Sequence, residues 1–158
     1  MTAPFISKPM PVRPEWIDYN GHLNMAYYNV LFDHGVDEVW QRLGFGPAYS
    51  KARNMTTYSG EFHLRYLREI HLGDQVRASF QVLDYDEKRI HFYQELIHTD
   101  GWVSASGEGM MLHIDQSGPR VAPMPADIFA KLEELAAEHR DLPVPATVGK
   151  PIGIRRKG

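Results

Sequence analysis

Apolar and polar positions divide the chain into stretches of different period. From Asn24 to Gly44, the residues Tyr28, Leu31, Phe32, Val36, Val39 and Leu43 recur at spacings of three and four, which places them on one face of a helix. Asn24 suits the N-cap, and Gly44 with Pro47 just beyond it is a stop signal. From Met55 to Asp115 the period drops to two. The strands predicted there are 56–70, 76–85, 89–98 and 102–115, separated by turns at Gly73-Asp74, Asp86-Glu87-Lys88 and Asp100-Gly101. In the first of them Phe62, Leu64 and Tyr66 face one way and Glu61, His63 and Arg65 the other. Gly107 and Gly109 interrupt the last, which marks a bulge or a close approach of backbone. Helical spacing returns from about Pro125 to His139, with Ile128, Phe129, Leu132 and Leu135 on one face.

The flanks carry less pattern. Residues 1–14 contain four prolines and read as an extended arm leading into a short strand. Residues 47–54 read as a connection, and the segment from Leu142, with Pro143, Pro145 and Pro151, as a loose extension. No repeat or linker splits the chain. The expectation is one domain over 1–141, with 1–10 as its arm and 142–158 as a tail. A long amphipathic helix needs a curved sheet to bury it, and four consecutive hairpin-connected strands would supply one. The class expected is α+β.

Composition removes several functions. Hydrophobic content of 43% and charged content of 23% are ordinary for a globular protein of 158 residues. A net charge of −3 without a basic block argues against nucleic acid as a partner. No cysteine is present, so disulfides and thiolate metal sites are excluded, which fits the cytoplasm. The N-terminus lacks the pattern of a signal peptide, and no apolar run is long enough to span a bilayer. Eight histidines are scattered without metal-ligand spacing, so no metal is expected, and there is no Gly-x-Ser-x-Gly elbow.

The chemistry concentrates just before the long helix. Asp18, Asn20, Gly21, His22 and Asn24 form a polar turn, and the unpaired N–H groups of the helix start attract developing negative charge. A carboxylate beside such a site suits acyl chemistry. The plainer reading of Asp18 is an Asx-turn, and of Asn24 a helix cap. His22 fits a loop hydrogen bond as well as a catalytic role.

The segment Asp18-Tyr19-Asn20-Gly21-His22-Leu23-Asn24 followed by Tyr28 resembles the Asp-x-x-Gly-His-x-Asn-(x)3-Tyr signature of hotdog-fold acyl-CoA thioesterases of the 4-hydroxybenzoyl-CoA thioesterase type. Tyr66-Leu67, Gly73-Asp74, the 107–115 strand and Pro123 to Pro125 extend the likeness over roughly residues 10–140. Pro14 to His22, Glu61 to Glu69 and Leu112 to Asp115 resemble more closely the betainyl-CoA thioesterases associated with carnitine breakdown. The resemblance implies a hotdog fold, in which an antiparallel sheet of about five strands wraps a long central helix and a C-terminal helix follows. It implies Asp18 as catalytic base or nucleophile, and backbone N–H groups after Gly21 that polarise the thioester carbonyl. Gly21, His22, Asn24, Tyr28, Glu61 and His63 become candidate substrate-binding residues, with Glu61 facing a cationic acyl group. Trp16, Tyr19, Tyr27 and Tyr58 supply aromatic faces for it. No cofactor is needed, since CoA enters as part of the substrate, and a homodimer or dimer-based tetramer is expected. Two alternatives remain open: a hotdog enoyl-CoA hydratase, whose Asp-x-Asn-Pro-x-His motif is near Asp18 to His22, and a non-catalytic acyl-CoA-binding protein.

Overall fold

The computed structural model describes residues 2–158. Short strands β1 (Phe5–Ile6) and β2 (Met10–Pro11) lead through a 3-10 turn at Pro14–Trp16 into helix α1 (Met25–Leu43). Helix α2 (Pro47–Arg53) and strands β3 (Met55–Tyr66), β4 (Gln75–Tyr85), β5 (Arg89–His98), β6 (Val103–Asp115) and β7 (Arg120–Val121) follow, then helix α3 (Ala126–His139). All pairings are antiparallel, in the order β1-β4-β5-β6-β3, with β2 added on β4 and β7 on β6.

The α1 bounds follow local chemistry. The Asn24 side-chain oxygen accepts from the Ala26 N–H at 3.0 Å, satisfying one of the donors left free at a helix start. Gly44 ends the helix at φ 91°, a left-handed conformation that glycine adopts without strain. Leu31, Phe32, Val39, Trp40 and Leu43 are buried against β4, β5 and α3. Phe80, Val82, Ile90, Phe92 and Met111 form the sheet side of that core. Gly107 and Gly109 serve close packing: a Cβ at either would lie 2.4 Å from a ring carbon, of Phe62 and Phe92 respectively. Register shifts occur elsewhere: in β3 between Ser59 and Glu61, in β4 between Val82 and Asp84, and in β6 at Ser104, three residues before Gly107.

Connectivity departs from the hairpin expectation. Strands β4, β5 and β6 form successive hairpins, but β3 crosses the sheet to pair with β6 at the far edge. Period and turn signals report neighbours in sequence and carry nothing about a long-range partner. β3 also stops at Tyr66, short of the expected 70, because the Leu67 and Arg68 N–H groups both turn to the Ser104 carbonyl. Residues 47–54, read as a connection, contain α2. Here Tyr49 donates to buried His113 at 2.7 Å, and Arg53 pairs with Asp127, whose carboxyl it holds down to about 2. The C-terminal segment is pinned to the sheet face away from α1. The Pro143 carbonyl accepts from Gln81, the Gly149 N–H donates to Glu108, and the Lys150 carbonyl accepts from Arg65.

Candidate active site

The loop before α1 is closed by its own backbone. The Asp18 N–H donates to the His22 carbonyl at 3.2 Å, and the Gly21 N–H to the Asp18 carbonyl at 3.0 Å. Gly21 makes this turn at φ 80°. Leu23, 1% exposed, anchors the loop through its N–H to the Ile70 carbonyl. Asp18 does form the Asx-turn: one carboxylate oxygen accepts from the Asn20 N–H at 2.8 Å, and the other accepts from the Asn24 amide at 3.3 Å. Asn24 therefore caps the helix with its oxygen and orients the carboxylate with its nitrogen.

Among the described residues, the Asn24, Ala26 and Tyr27 N–H groups find partners, and the Met25 N–H has none. Met25 lines the same cleft as Asp18, so an unengaged donor at the positive end of α1 stands beside the carboxylate. The cleft, of about 460 Å³, also takes in His22, Tyr28, Tyr66 and Glu69. Tyr28 meets Tyr66 edge to face at 5.0 Å, and the Tyr66 hydroxyl donates to the Met25 carbonyl at 3.1 Å. Burial raises the pKa of both phenols, which keeps them protonated as donors. The His22 imidazole reaches Glu69 at 3.4 Å, and Glu69 also reaches His71 at 3.6 Å.

Asp18, His22, Asn24 and Tyr28 thus line one cleft, with Gly21 turning the loop that forms it. Glu61 and His63 do not line it. They lie on the opposite face of the sheet, in a cleft of about 580 Å³ beside the His91–Glu108 pair and residues 149–151. Tyr66 and Glu69 also line the cleft, and sequence reasoning did not single them out as candidates. Glu69 lies in irregular backbone past the end of β3, where the sequence reading continues the strand to 70. Among the described residues no cluster of three or more metal-ligating side chains occurs, and no helix is long and apolar enough to cross a membrane.

Residues 12–132 match the family model of the thioesterase-like superfamily. The betainyl-CoA thioesterase of Pseudomonas aeruginosa is 39% identical over 145 residues, which is 91% of each chain. The L-carnitine dehydrogenase/betainyl-CoA thioesterase of Rhizobium meliloti is 38% identical over 92% of this chain and 29% of its own length. A Staphylococcus aureus protein solved in complex with CoA superposes with a TM-score of 0.91 at 27% identity, covering 98% of both chains. The chain belongs to the thioesterase-like superfamily and is a hotdog-fold thioester hydrolase acting on acyl-CoA.

Proposed function

We propose that the enzyme hydrolyses betainyl-CoA to betaine and CoA, with Asp18 as the reacting carboxylate. The observation that carries this is the juxtaposition of an Asn24-oriented Asp18 with the unengaged Met25 N–H at the start of α1. The thioester carbonyl oxygen accepts from that N–H, and charge developing on it is met by the helix end. Asp18 then takes a proton from attacking water, or attacks the carbonyl carbon itself to give an anhydride that water opens. In either route CoA leaves as thiolate and is protonated, and no cofactor enters. Likeness to two betainyl-CoA thioesterases supports the acyl group.

The active form in this reading is a homodimer, or a tetramer built from it, in the cytoplasm. β3 is an edge strand of 12 residues whose stretch from Tyr58 to Glu61 is exposed, and pairing with a second copy would satisfy its open backbone groups. Incubation with betainyl-CoA and with straight-chain, branched and aromatic acyl-CoAs, following free thiol, tests the substrate. Betainyl-CoA should give the highest kcat/KM, and equal efficiency on a neutral chain of similar size would refute the choice of acyl group.

A further inference from the structure

A third cleft, of about 470 Å³, separates α1 from the edge strand β3. Trp40, Phe62 and Phe92 give it aromatic walls, and Asp33 and Asp37 stand along its α1 side. No lysine or arginine lines it among the described residues. The two carboxylates are one helical turn apart, and only the neighbouring His34 offsets their charge at Asp33, whose pKa burial and Asp37 raise. Deeper in, Gln94 is 0% exposed; its amide nitrogen donates to the Phe32 carbonyl at 3.3 Å, while its side-chain oxygen has no partner. A buried carbonyl oxygen without a donor is costly and leaves the negative end of a dipole unspent. Aromatic faces, that dipole and uncompensated carboxylates all favour a positive charge clothed in methyl groups, which needs no hydrogen-bond acceptor.

We propose that this cleft is a quaternary-ammonium subsite, with Asp33 and the Gln94 side-chain oxygen as the residues that select the cation. The assignment rests on the betainyl-CoA reading and gives the charge-recognition role, expected of Glu61, to Asp33. The helix rises about 13 Å between Asn24 and Asp33, while a single methylene separates the ammonium nitrogen of betaine from its thioester carbon. The Asp18 that meets an acyl group held here therefore comes from a second copy paired along β3.

Three measurements test this. Calorimetric titration of the full-length protein with tetramethylammonium should show saturable binding that Asp33→Asn and Gln94→Met each weaken at least about threefold. The ratio of kcat/KM for betainyl-CoA to that for its neutral isostere 3,3-dimethylbutanoyl-CoA should fall roughly tenfold or more in Asp33→Asn, a variant at the cleft rim that leaves the core untouched. Mixing Asp18→Asn with Asp33→Asn subunits should give more betainyl-CoA hydrolysis than the two measured separately. Unchanged cation binding and an unchanged ratio in Asp33→Asn overturn the subsite, even where betainyl-CoA is a good substrate. Cation binding abolished by Asp33→Asn in a protein that ignores betainyl-CoA upholds the subsite and refutes the substrate. No gain on mixing overturns the assembly across two copies.

Discussion

Replacing Gly35 with alanine puts a methyl group where α1 and β4 touch. In an ordinary helix interior that change stabilises by about 1 kcal/mol. Here the new Cβ would sit 2.4 Å from the Ala78 Cβ, with the Ala78 Cα at 3.7 Å. Carbon atoms pack at about 3.5–4.0 Å, so the two surfaces must part by more than about 1 Å. Neither methyl has a rotamer to escape into, so the helix itself must move. A gap of about 0.5–1 Å already forfeits a quarter to a half of each dispersion contact, and Leu31, Phe32, Val39 and Leu43 on the same helix are all within 1% of full burial. Overpacking of this kind costs about 1–3 kcal/mol, and the penalty outweighs the propensity gain. Urea unfolding followed by circular dichroism should show Gly35→Ala less stable than wild type. Ala78→Gly, itself mildly destabilising, should recover part of the loss when combined with it, giving a coupling of at least about 0.5 kcal/mol. A stabilised Gly35→Ala, or additive single effects, would refute the close approach of α1 to the sheet.

Further outcomes follow from buried polar groups and from the open edge. The Tyr49 hydroxyl has one proton to give, and His113 at 2.7 Å takes it in preference to the Met55 sulfur at 3.6 Å. Tyr49→Phe should strand the buried imidazole nitrogen and cost about 1–3 kcal/mol, read as a Tm drop of about 2–4 °C per kcal/mol; an unchanged Tm would contradict it. Buried His139 accepts from the Val82 N–H at 3.0 Å and has its pKa lowered by burial from 6.5. The unfolded chain then binds the extra proton, so stability is full above pH 6.5 and declines as pH falls toward the depressed folded value. Urea midpoints across this range should show the decline in wild type and a weaker one in His139→Gln; parallel profiles would exclude His139 as its source. Light scattering at micromolar concentration should report a dimer or larger, and a monodisperse monomer would count against pairing along β3.

Local rules made much of this fold legible. Asn24 and Gly44 mark the ends of α1 because capping and left-handed termination are decided by a few adjacent residues. The alternation of Glu61, His63 and Arg65 against Phe62 and Leu64 placed the two faces of β3 correctly, since strand period is local. The partner of β3 was illegible, because pairing with β6 depends on packing of distant segments. The same limit applies to the clefts. The Asp18 turn and its place beside the helix start were legible because the whole turn lies within a few residues of α1. Which cleft each carboxylate lines was likewise illegible, since only the fold shows that Glu61 faces away from α1 while Asp33 lines a cleft with aromatic walls. The unpaired side-chain oxygen of Gln94 is a property of the assembled core, which no local pattern carries.

The central claim is that Asp18 carries the reaction, and Asp18→Asn tests it most directly. Asparagine keeps the side-chain oxygen that accepts from the Asn20 N–H but loses the bond from the Asn24 amide, so the loop should survive at a cost of about 0.5–1.5 kcal/mol. What disappears is the proton acceptor or nucleophile, worth about 10²–10⁴-fold as a general base. Thiol release from betainyl-CoA should fall by that factor with the fold intact. Turnover near wild type in Asp18→Asn would reduce Asp18 to a turn residue and remove the mechanism.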